Sequence, residues 1–276
     1  MSGTLYLVAT PIGNLEDMTF RAIKVLQDVD LIAAEDTRHS LHLLHHFDIR
    51  KPLVSYHRHN EENRVEYLIE KLEKGENIAV ITDAGTPGIS DPGEEIVKAA
   101  IAKQISVVPI PGACAFVNAL IASGLDTKEF AFYGFLPVHK KLKRKKLEEI
   151  QLENRTVIVY EAPHKLKNTL EDMYSILGDR QIVLAKELTK LHEQFWRGSI
   201  KDILEEMEEV KGEFVIMIEK SGLEKTAQTE DWDTMTLEEH YAWYTKEGME
   251  KKEIIKKIAK DRNVAKNEIY QYFLNM

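Results

Sequence analysis

The loop at residues 83–93, DAGTPGISDPG, has the composition of a ligand-binding segment. Its three glycines let the backbone come close to a ligand, and its side chains include the carboxylates of Asp83 and Asp91 and the hydroxyls of Thr86 and Ser90. Two carboxylates would repel a phosphate, and neither GxxxxGK[ST] nor GxGxxG occurs in the chain. We therefore expect a neutral or cationic ligand with hydroxyl groups, a description that fits S-adenosylmethionine.

Charged residues also follow other apolar runs. Glu35, Asp36 and Arg38 come after one run, and Lys186 and Glu187 come after another. In open α/β sheets ligands bind beyond the carboxyl ends of the strands, so these residues are expected at the same cleft. A cation can stabilise a developing alkoxide, and a carboxylate beside it can orient the reacting hydroxyl or take its proton. We predict that these five residues are the catalytic groups, and the sequence does not say which one is the base.

The elements that must position these residues are predicted from hydrophobic periodicity, in which short apolar runs alternate with amphipathic helical stretches. Strands are predicted at residues 4–9, 30–34, 78–82, 105–110, 130–135, 156–160, 181–185 and 213–218. The pattern predicts an N-terminal α/β domain at residues 1–115 and a C-terminal α/β domain at residues 116–224. Helical periodicity at residues 235–276 predicts a small tail that resembles a helix-turn-helix.

Composition indicates a globular protein of more than one domain. The 276 residues are 43% hydrophobic and 30% charged, which is enough for a sizeable core. The single cysteine, Cys114, excludes an internal disulfide, and the first residues lack the pattern of a signal peptide. The longest uncharged stretch, residues 104–125, is interrupted by prolines and a glycine. We expect a cytosolic protein without a membrane segment.

Basic and acidic residues are distributed unevenly along the chain. The net charge of −9 argues against binding nucleic acid through overall charge. Locally, residues 139–146 hold six basic side chains, and we predict that they contact RNA: Lys140, Lys141, Lys143, Arg144, Lys145 and Lys146. A solvated helix face is the alternative explanation for such a run.

Six of the ten histidines lie between residues 38 and 59, and they are His39, His42, His45, His46, His57 and His59. Histidines spaced along a helix can bind zinc, but no cysteine or HExxH-like acid completes a site here. We therefore predict no metal and expect an RNA-facing or solvated surface.

Several long motifs give the chain a family resemblance. LVATPIGNLEDMTFRA, AEDTRHS, DAGTPGISDPG, FYGFLP, YEAPHKL and KELTKLHEQFWRGS closely resemble the ribosomal RNA small subunit methyltransferase I family, and they run in order between residues 4 and 218. The resemblance implies the tetrapyrrole methylase fold, with S-adenosylmethionine bound between two α/β domains. It also implies a homodimer that methylates a cytidine 2′-hydroxyl of 16S rRNA in the decoding region of the small ribosomal subunit. The helical tail is similar to that family's C-terminal domain.

The resemblance also implies which residues hold the cofactor, and they lie on the loops singled out above. They are Asp83, Ala84, Gly85, Thr86, Ile89, Ser90, Asp91, Pro111, Gly112, Ala113, Cys114, Ala115, Phe135, Tyr160 and Glu161. One segment departs from the family, because residues 111–115 are PGACA where many relatives resemble PGPSA. Backbone contacts would survive this change, whereas a hydroxyl contact at Cys114 would not.

Two other functions compete with rRNA methylation. The same fold methylates tetrapyrrole or corrinoid small molecules, but such a substrate needs neither the basic run nor the lysine-rich tail. A noncatalytic ribosome assembly factor that holds S-adenosylmethionine as a structural ligand would differ from the enzyme in lacking turnover.

Overall fold

The computed structural model describes residues 2–58, 60–207, 212–222, 235–246, 249–262 and 264–274. The chain separates into two compact units, Met1–Ser221 and Gly222–Met276. The larger unit holds two five-stranded sheets, and the smaller unit holds helices.

The first sheet is entirely parallel. Its strands are β1 (Thr4–Val8), β2 (Leu31–Ala34), β3 (Leu53–Ser55), β4 (Ile78–Ile81) and β5 (Ser106–Ile110), which pair in the order β3-β2-β4-β1-β5. Because all five strands run in the same direction, the loops that follow them gather at one edge of the sheet. These loops include the predicted ligand-binding segment at residues 83–93.

Helices cover both faces of this sheet. They are α1 (Phe20–Asp28), α2 (Thr37–His46), α3 (Glu61–Glu73) and α4 (Glu94–Ala102). On β4, the side chains of Ile78 and Val80 pack into the core that includes Leu68 of α3. The alternate residues of the same strand pack with Leu26 of α1 and Leu44 of α2. Burial on both faces explains why the strand is an unbroken apolar run in the sequence.

The second sheet is mixed. Its strands are β6 (Phe130–Phe135), β7 (Thr156–Glu161), β8 (Gln181–Lys186), β9 (Gln194–Ser199) and β10 (Phe214–Ile218), in the order β6-β7-β10-β8-β9. β6 and β7 are parallel, while β10 is antiparallel to both β7 and β8. The amino end of β10 therefore lies beside the carboxyl ends of its two neighbours, where Phe214 pairs with Glu161 and with Lys186.

Four further helices pack on the second sheet, and they are α5 (Ala115–Ser123), α6 (Lys140–Gln151), α7 (Pro163–Leu177) and α8 (Ile200–Glu206). Residues of α6, α7 and α8 share one core with Val159 and Ile216. On the other face, Leu120 of α5 packs with Ile158 and Val183. Both faces of this sheet are thus buried as well.

The smaller unit contains α9 (Leu237–Lys246), α10 (Lys251–Asp261) and α11 (Lys266–Leu274). Its core is formed by Tyr244 of α9, Ile254 and Ile258 of α10, and Ile269 of α11. The buried positions of α10 recur at helical spacing, and its lysines lie on the exposed side.

The predicted fold class is confirmed, and each of the eight predicted strands is present with its ends within one residue. Two strands, β3 and β9, were missed. β3 has only three residues, and β9 carries Gln194 and Arg197 on an edge of its sheet, so neither gives a strong apolar signal. The domain limits at residues 115 and 224 stay predictions, and residue 224 lies outside the described residues. No helix within the described ranges is both long and apolar enough to cross a membrane.

Candidate active site

A cavity of about 460 Å³ lies where the loop-bearing edges of the two sheets meet, and this volume is in the usual range for small-molecule sites. The first half of the chain contributes Ile12, Glu35, Asp83, Ala84, Gly85, Thr86, Ile89, Ser90, Asp91, Cys114 and Ala115. The second half contributes Phe135, Tyr160, Glu161, Ala162, Pro163, His164, Glu187, Leu188, Lys190, Glu213, Phe214 and Val215. Both sheets therefore build the same site.

Backbone hydrogen bonds hold the loops of the first sheet together at this cavity. Thr10 and Gly85 form an isolated antiparallel bridge, with N–H···O distances of 2.9 and 3.1 Å. Gly85 has a φ of +86°, a conformation that favours glycine. The hydroxyl of Thr86 donates to the carbonyl of Ala113 at 3.1 Å. The loops after β1, β4 and β5 are thereby fixed relative to one another.

The same loop also makes a close approach to the second sheet. Ser90 has a φ of +65°, which is unusual for a residue with a side chain. A Cβ atom on Gly134 of β6 would lie 2.9 Å from the Ser90 Oγ. β6 is irregular at this point, with a register shift between Phe132 and Gly134. The bulge and the missing side chain at Gly134 make room for the loop.

Carboxylates dominate the first-sheet side of the cavity. The Asp36 amide donates to the Asp83 carboxylate at 3.1 Å. Burial raises the pKa of Asp91 to about 6, and repulsion from Glu35 adds to the effect. Burial likewise raises the pKa of Glu35, although a hydrogen bond from the Asp83 amide opposes it. Because these acids repel one another, a cation in the cavity would be stabilised.

The second-sheet side presents an ion pair. The Lys190 Nζ lies 2.9 Å from the Glu187 Oε1 and 3.9 Å from the Glu213 Oε2. Burial raises the pKa of Glu187, but hydrogen bonds from Lys190 and from the Glu213 amide outweigh it and leave the pKa below its ordinary value. Glu187 and Thr189 have φ angles of +50° and +67°. Such backbone strain is often found at functional sites.

Two glycines leave the space that this pair fills. A Cβ atom on Gly13 would lie 2.4 Å from the Lys190 Cγ. A Cβ atom on Gly212 would lie 2.5 Å from both the Cγ and the Oε1 of Glu187. Any side chain at either position would therefore displace a member of the pair.

Comparison with known proteins places the chain in a family. The family model for Tetrapyrrole (Corrin/Porphyrin) Methylases matches residues 4–204. The chain is 50% identical to the Ribosomal RNA small subunit methyltransferase I of Halalkalibacterium halodurans, over 98% of this chain and 94% of the relative. It is 51% identical to the protein of that name from Bacillus subtilis, with the same coverage. The chain belongs to this methyltransferase family.

Solved structures support the fold. Uroporphyrin-III-C-methyltransferase from Thermus thermophilus superposes with a TM-score of 0.56 at 20% identity. The match covers 79% of this chain and 95% of the Thermus thermophilus chain. Diphthine synthase gives a TM-score of 0.61 at 14% identity, covering 79% and 90%. At these identities the likeness concerns the fold alone.

Twelve of the fifteen residues predicted to hold the cofactor line the cavity of the methyltransferase, and the exceptions are Pro111, Gly112 and Ala113. Gly112 and Ala113 contact neighbouring loops instead. A Cβ on Gly112 would lie 2.9 Å from the Cβ of Ala9, and the Ala113 carbonyl accepts the Thr86 hydrogen bond.

Two of the five predicted catalytic residues, Glu35 and Glu187, line the cavity. Asp36, Arg38 and Lys186 are not among the lining residues. Asp36 and Arg38 pair with each other at 2.9 Å on the surface. Lys186 extends over the ring of Trp196, with its Nζ 5.9 Å from the ring centroid. Side chains alternate between the faces of a strand, so Lys186 and the next residue point to different places.

Several lining residues were missed, and sequence signals existed for most of them. Ile12, Leu188 and Lys190 all lie in segments that directly follow predicted strands. Lys190 also lies three residues after Glu187, within the KELTK motif. Glu213 gave no such signal, because it lies at the amino end of its strand and reaches the cavity only through the antiparallel direction of β10.

The residues predicted to contact RNA lie on α6, where some are paired with acidic side chains and others are exposed. Lys143 is largely buried, with its Nζ 2.8 Å from both the Asp172 carboxylate and the Thr169 hydroxyl. It is a structural residue and not a free cation. Arg144 and Lys146 pair with glutamates on the same helix. The remaining members, Lys140, Lys141 and Lys145, are exposed.

The histidine-rich segment begins in α2. Among the described residues, no group of three or more histidine, cysteine or acidic side chains is arranged to hold a metal ion. His59 lies outside the described residues.

Proposed function

We propose that this protein transfers a methyl group from S-adenosylmethionine to the 2′-hydroxyl of a cytidine in the 16S rRNA of the small ribosomal subunit. The observation that carries the proposal is the identity of about half of all residues to proteins named Ribosomal RNA small subunit methyltransferase I, over 98% of this chain. This similarity includes the helical unit, which lies beyond the matched family model.

The cavity suits S-adenosylmethionine in size and in chemistry. Its acids, Glu35, Asp83 and Asp91, favour a ligand that carries positive charge. Its apolar side chains, among them Ile12 and Phe135, can cover the less polar parts of such a ligand. When bound, this cofactor supplies an electrophilic methyl group on a sulfonium. We assign its binding to the twelve predicted residues that line the cavity.

We assign the acceptor side of the reaction to Glu187 and Lys190. The Glu187 carboxylate, which lines the cavity, can accept a hydrogen bond from a ribose hydroxyl, orient it and take its proton as the methyl group is transferred. The Lys190 ammonium, 2.9 Å away, can stabilise the negative charge that develops on that oxygen. The strained backbone between the two residues holds this geometry in place. Lys186, which the sequence predicted as the catalytic cation, lies over the ring of Trp196.

The proposal extends to the state in which the enzyme acts. The family resemblance implies a homodimer in the cytosol, and α5 carries the exposed apolar residues Val117 and Ile121 on one side. Light scattering on the purified protein measures the oligomeric state.

The deciding experiment is transfer of labelled methyl from S-adenosylmethionine to purified small subunits that lack the modification, followed by mapping of the labelled nucleotide. We expect one labelled cytidine, modified on its ribose. Transfer to a tetrapyrrole but not to subunits would favour a small-molecule methylase. Tight cofactor binding without turnover on either substrate would favour an assembly factor.

A further inference from the structure

The second half of the loop at residues 83–93 is a closed turn, residues 88–93, whose tip faces the cavity. The Gly88 amide donates to the Pro92 carbonyl at 3.1 Å, and a Cβ atom on Gly93 would lie 3.0 Å from the Gly88 nitrogen. Three residues between these ends line the cavity, and they are Ile89, Ser90 and Asp91. Where these three residues lie therefore depends on how the base of the turn is held.

A single carboxylate oxygen holds the base of this turn. The Oε1 of Glu61, the first residue of α3, accepts a hydrogen bond from the Gly93 amide at 3.2 Å. The same oxygen accepts a hydrogen bond from the Tyr56 hydroxyl at 2.8 Å. Glu61 thus joins the turn to a residue that directly follows β3.

Tyr56 fixes the position of this carboxylate. Its side chain is fully buried in the core that includes Leu68 of α3 and Ile96 of α4, and its amide donates to the Ala34 carbonyl at 2.8 Å. Burial raises the pKa of the Tyr56 hydroxyl, and the hydrogen bond to Glu61 adds to the effect, so the hydroxyl stays a donor. Through Glu61 the turn is therefore tied to the core of the first sheet.

The tip of the turn is held from the same side. The Arg58 Nη2 donates to the carbonyl of Ser90, the residue whose φ is +65°. Neither Arg58 nor Glu61 is among the residues that line the cavity. Both act on the cavity wall from outside, and of the two only Glu61 is connected to a buried side chain.

We propose that Glu61 is a positioning residue for the cofactor, because it holds the turn in the shape that brings Ile89, Ser90 and Asp91 to the ligand. This inference rests on the proposed function, since it takes the cavity as the S-adenosylmethionine site. A turn without its anchor occupies the binding shape in only a fraction of the molecules, and the apparent affinity falls by that fraction. Hydrogen bonds to charged groups are among the stronger ones in proteins, so loss of this anchor should weaken binding about tenfold.

The test measures calorimetric affinity for S-adenosylmethionine in three single variants. E61A removes the acceptor and should bind about tenfold more weakly than the parent. E61Q keeps an acceptor oxygen of the same reach and should stay within about threefold of the parent. D30A is the matched control, because the Asp30 Oδ2 accepts from the Asn77 amide at 2.7 Å at the amino ends of β2 and β4, and its affinity should equal that of the parent.

Y56F tests the same anchor without removing the carboxylate. It deletes the second hydrogen bond to the Glu61 oxygen and should weaken binding by a smaller factor, about threefold. This variant decides the matter if E61A does not fold.

Parent affinity in E61A and Y56F would overturn the inference, and so would an affinity in E61Q or D30A as weak as that in E61A. If the parent itself binds no S-adenosylmethionine, the proposed function fails. The anchoring role is then judged by hydrogen exchange, which should be faster at residues 88–93 in E61A than in the parent and unchanged there in D30A. Unchanged exchange in E61A would overturn the inference without any ligand.

Discussion

Replacement of Gly13 by alanine tests whether the position of Lys190 matters for methyl transfer. The new Cβ atom would lie 2.4 Å from the Lys190 Cγ and 2.7 Å from its Cε, well inside van der Waals contact. To restore ordinary contact the lysine stem must move by about 1 Å, and a displacement of this size at a reacting group can reduce a rate about a hundredfold. The 2.9 Å contact with Glu187 would be lost in the process.

The effect on stability should be much smaller than the effect on rate. The Lys190 side chain is 32% exposed and that of Glu187 is 21% exposed, and a pair this accessible contributes about 1 kcal/mol at most. Alanine at a positive φ adds backbone strain of about 1 to 3 kcal/mol. Gly124 provides a control for alanine at a positive φ without a clash, since its φ is +85°, against +156° at Gly13, and an added Cβ would meet nothing within 4 Å.

The assay is single-turnover methyl transfer to small subunits, with thermal unfolding measured on the same samples. Both variants should remain folded at the assay temperature, while only G13A should lose activity, by about a hundredfold, with G124A staying within about twofold of the parent. Equal transfer rates in the two variants would show that the Lys190 position has no part in the chemistry.

Three further predictions concern other residues of the larger unit. E187Q should lower single-turnover transfer about a hundredfold and K186M should leave it near the parent rate, because only the first removes a cavity-lining group; the reverse order would restore Lys186 as the catalytic cation. Burial raises the pKa of Asp91 to about 6, so calorimetric affinity for the cationic cofactor should fall about tenfold from pH 7.5 to pH 5 as this carboxylate is protonated. D91N should bind the cofactor with the same affinity at both pH values. If its affinity still falls tenfold at pH 5, another group causes the pH dependence. T169V removes a 2.6 Å hydrogen bond to the buried Glu161 carboxylate and should lower the free energy of unfolding by about 1.5 to 3 kcal/mol. T156V removes a hydrogen bond to the neutral Asp126 carbonyl and should lower it by about 1 kcal/mol. The midpoint of thermal unfolding should therefore fall further in T169V, and equal midpoints would contradict this.

The sequence alone determined eight of the ten strands and the edge of the first sheet at which the loops meet. Runs such as residues 78–81 are apolar throughout because both faces are buried, and this pattern identifies a strand without knowledge of its neighbours. Once the strands are known to be parallel, the loops that follow them must meet, so residues 83–91 were placed correctly at the cavity. β9 was missed because an edge strand can be polar and needs no such run.

Only the tertiary structure decided which charged side chains reach the cavity. Lys186 and Lys190 are equivalent in the sequence, but the left-handed φ angles at Glu187 and Thr189 turn the chain so that Lys190 enters the cavity and Lys186 lies over Trp196. Lys143 is one of six basic residues in its run, yet α7 supplies the partners that bury its ammonium. Helical or strand periodicity fixes the face on which a residue lies, whereas the contact it makes depends on an element distant in the chain.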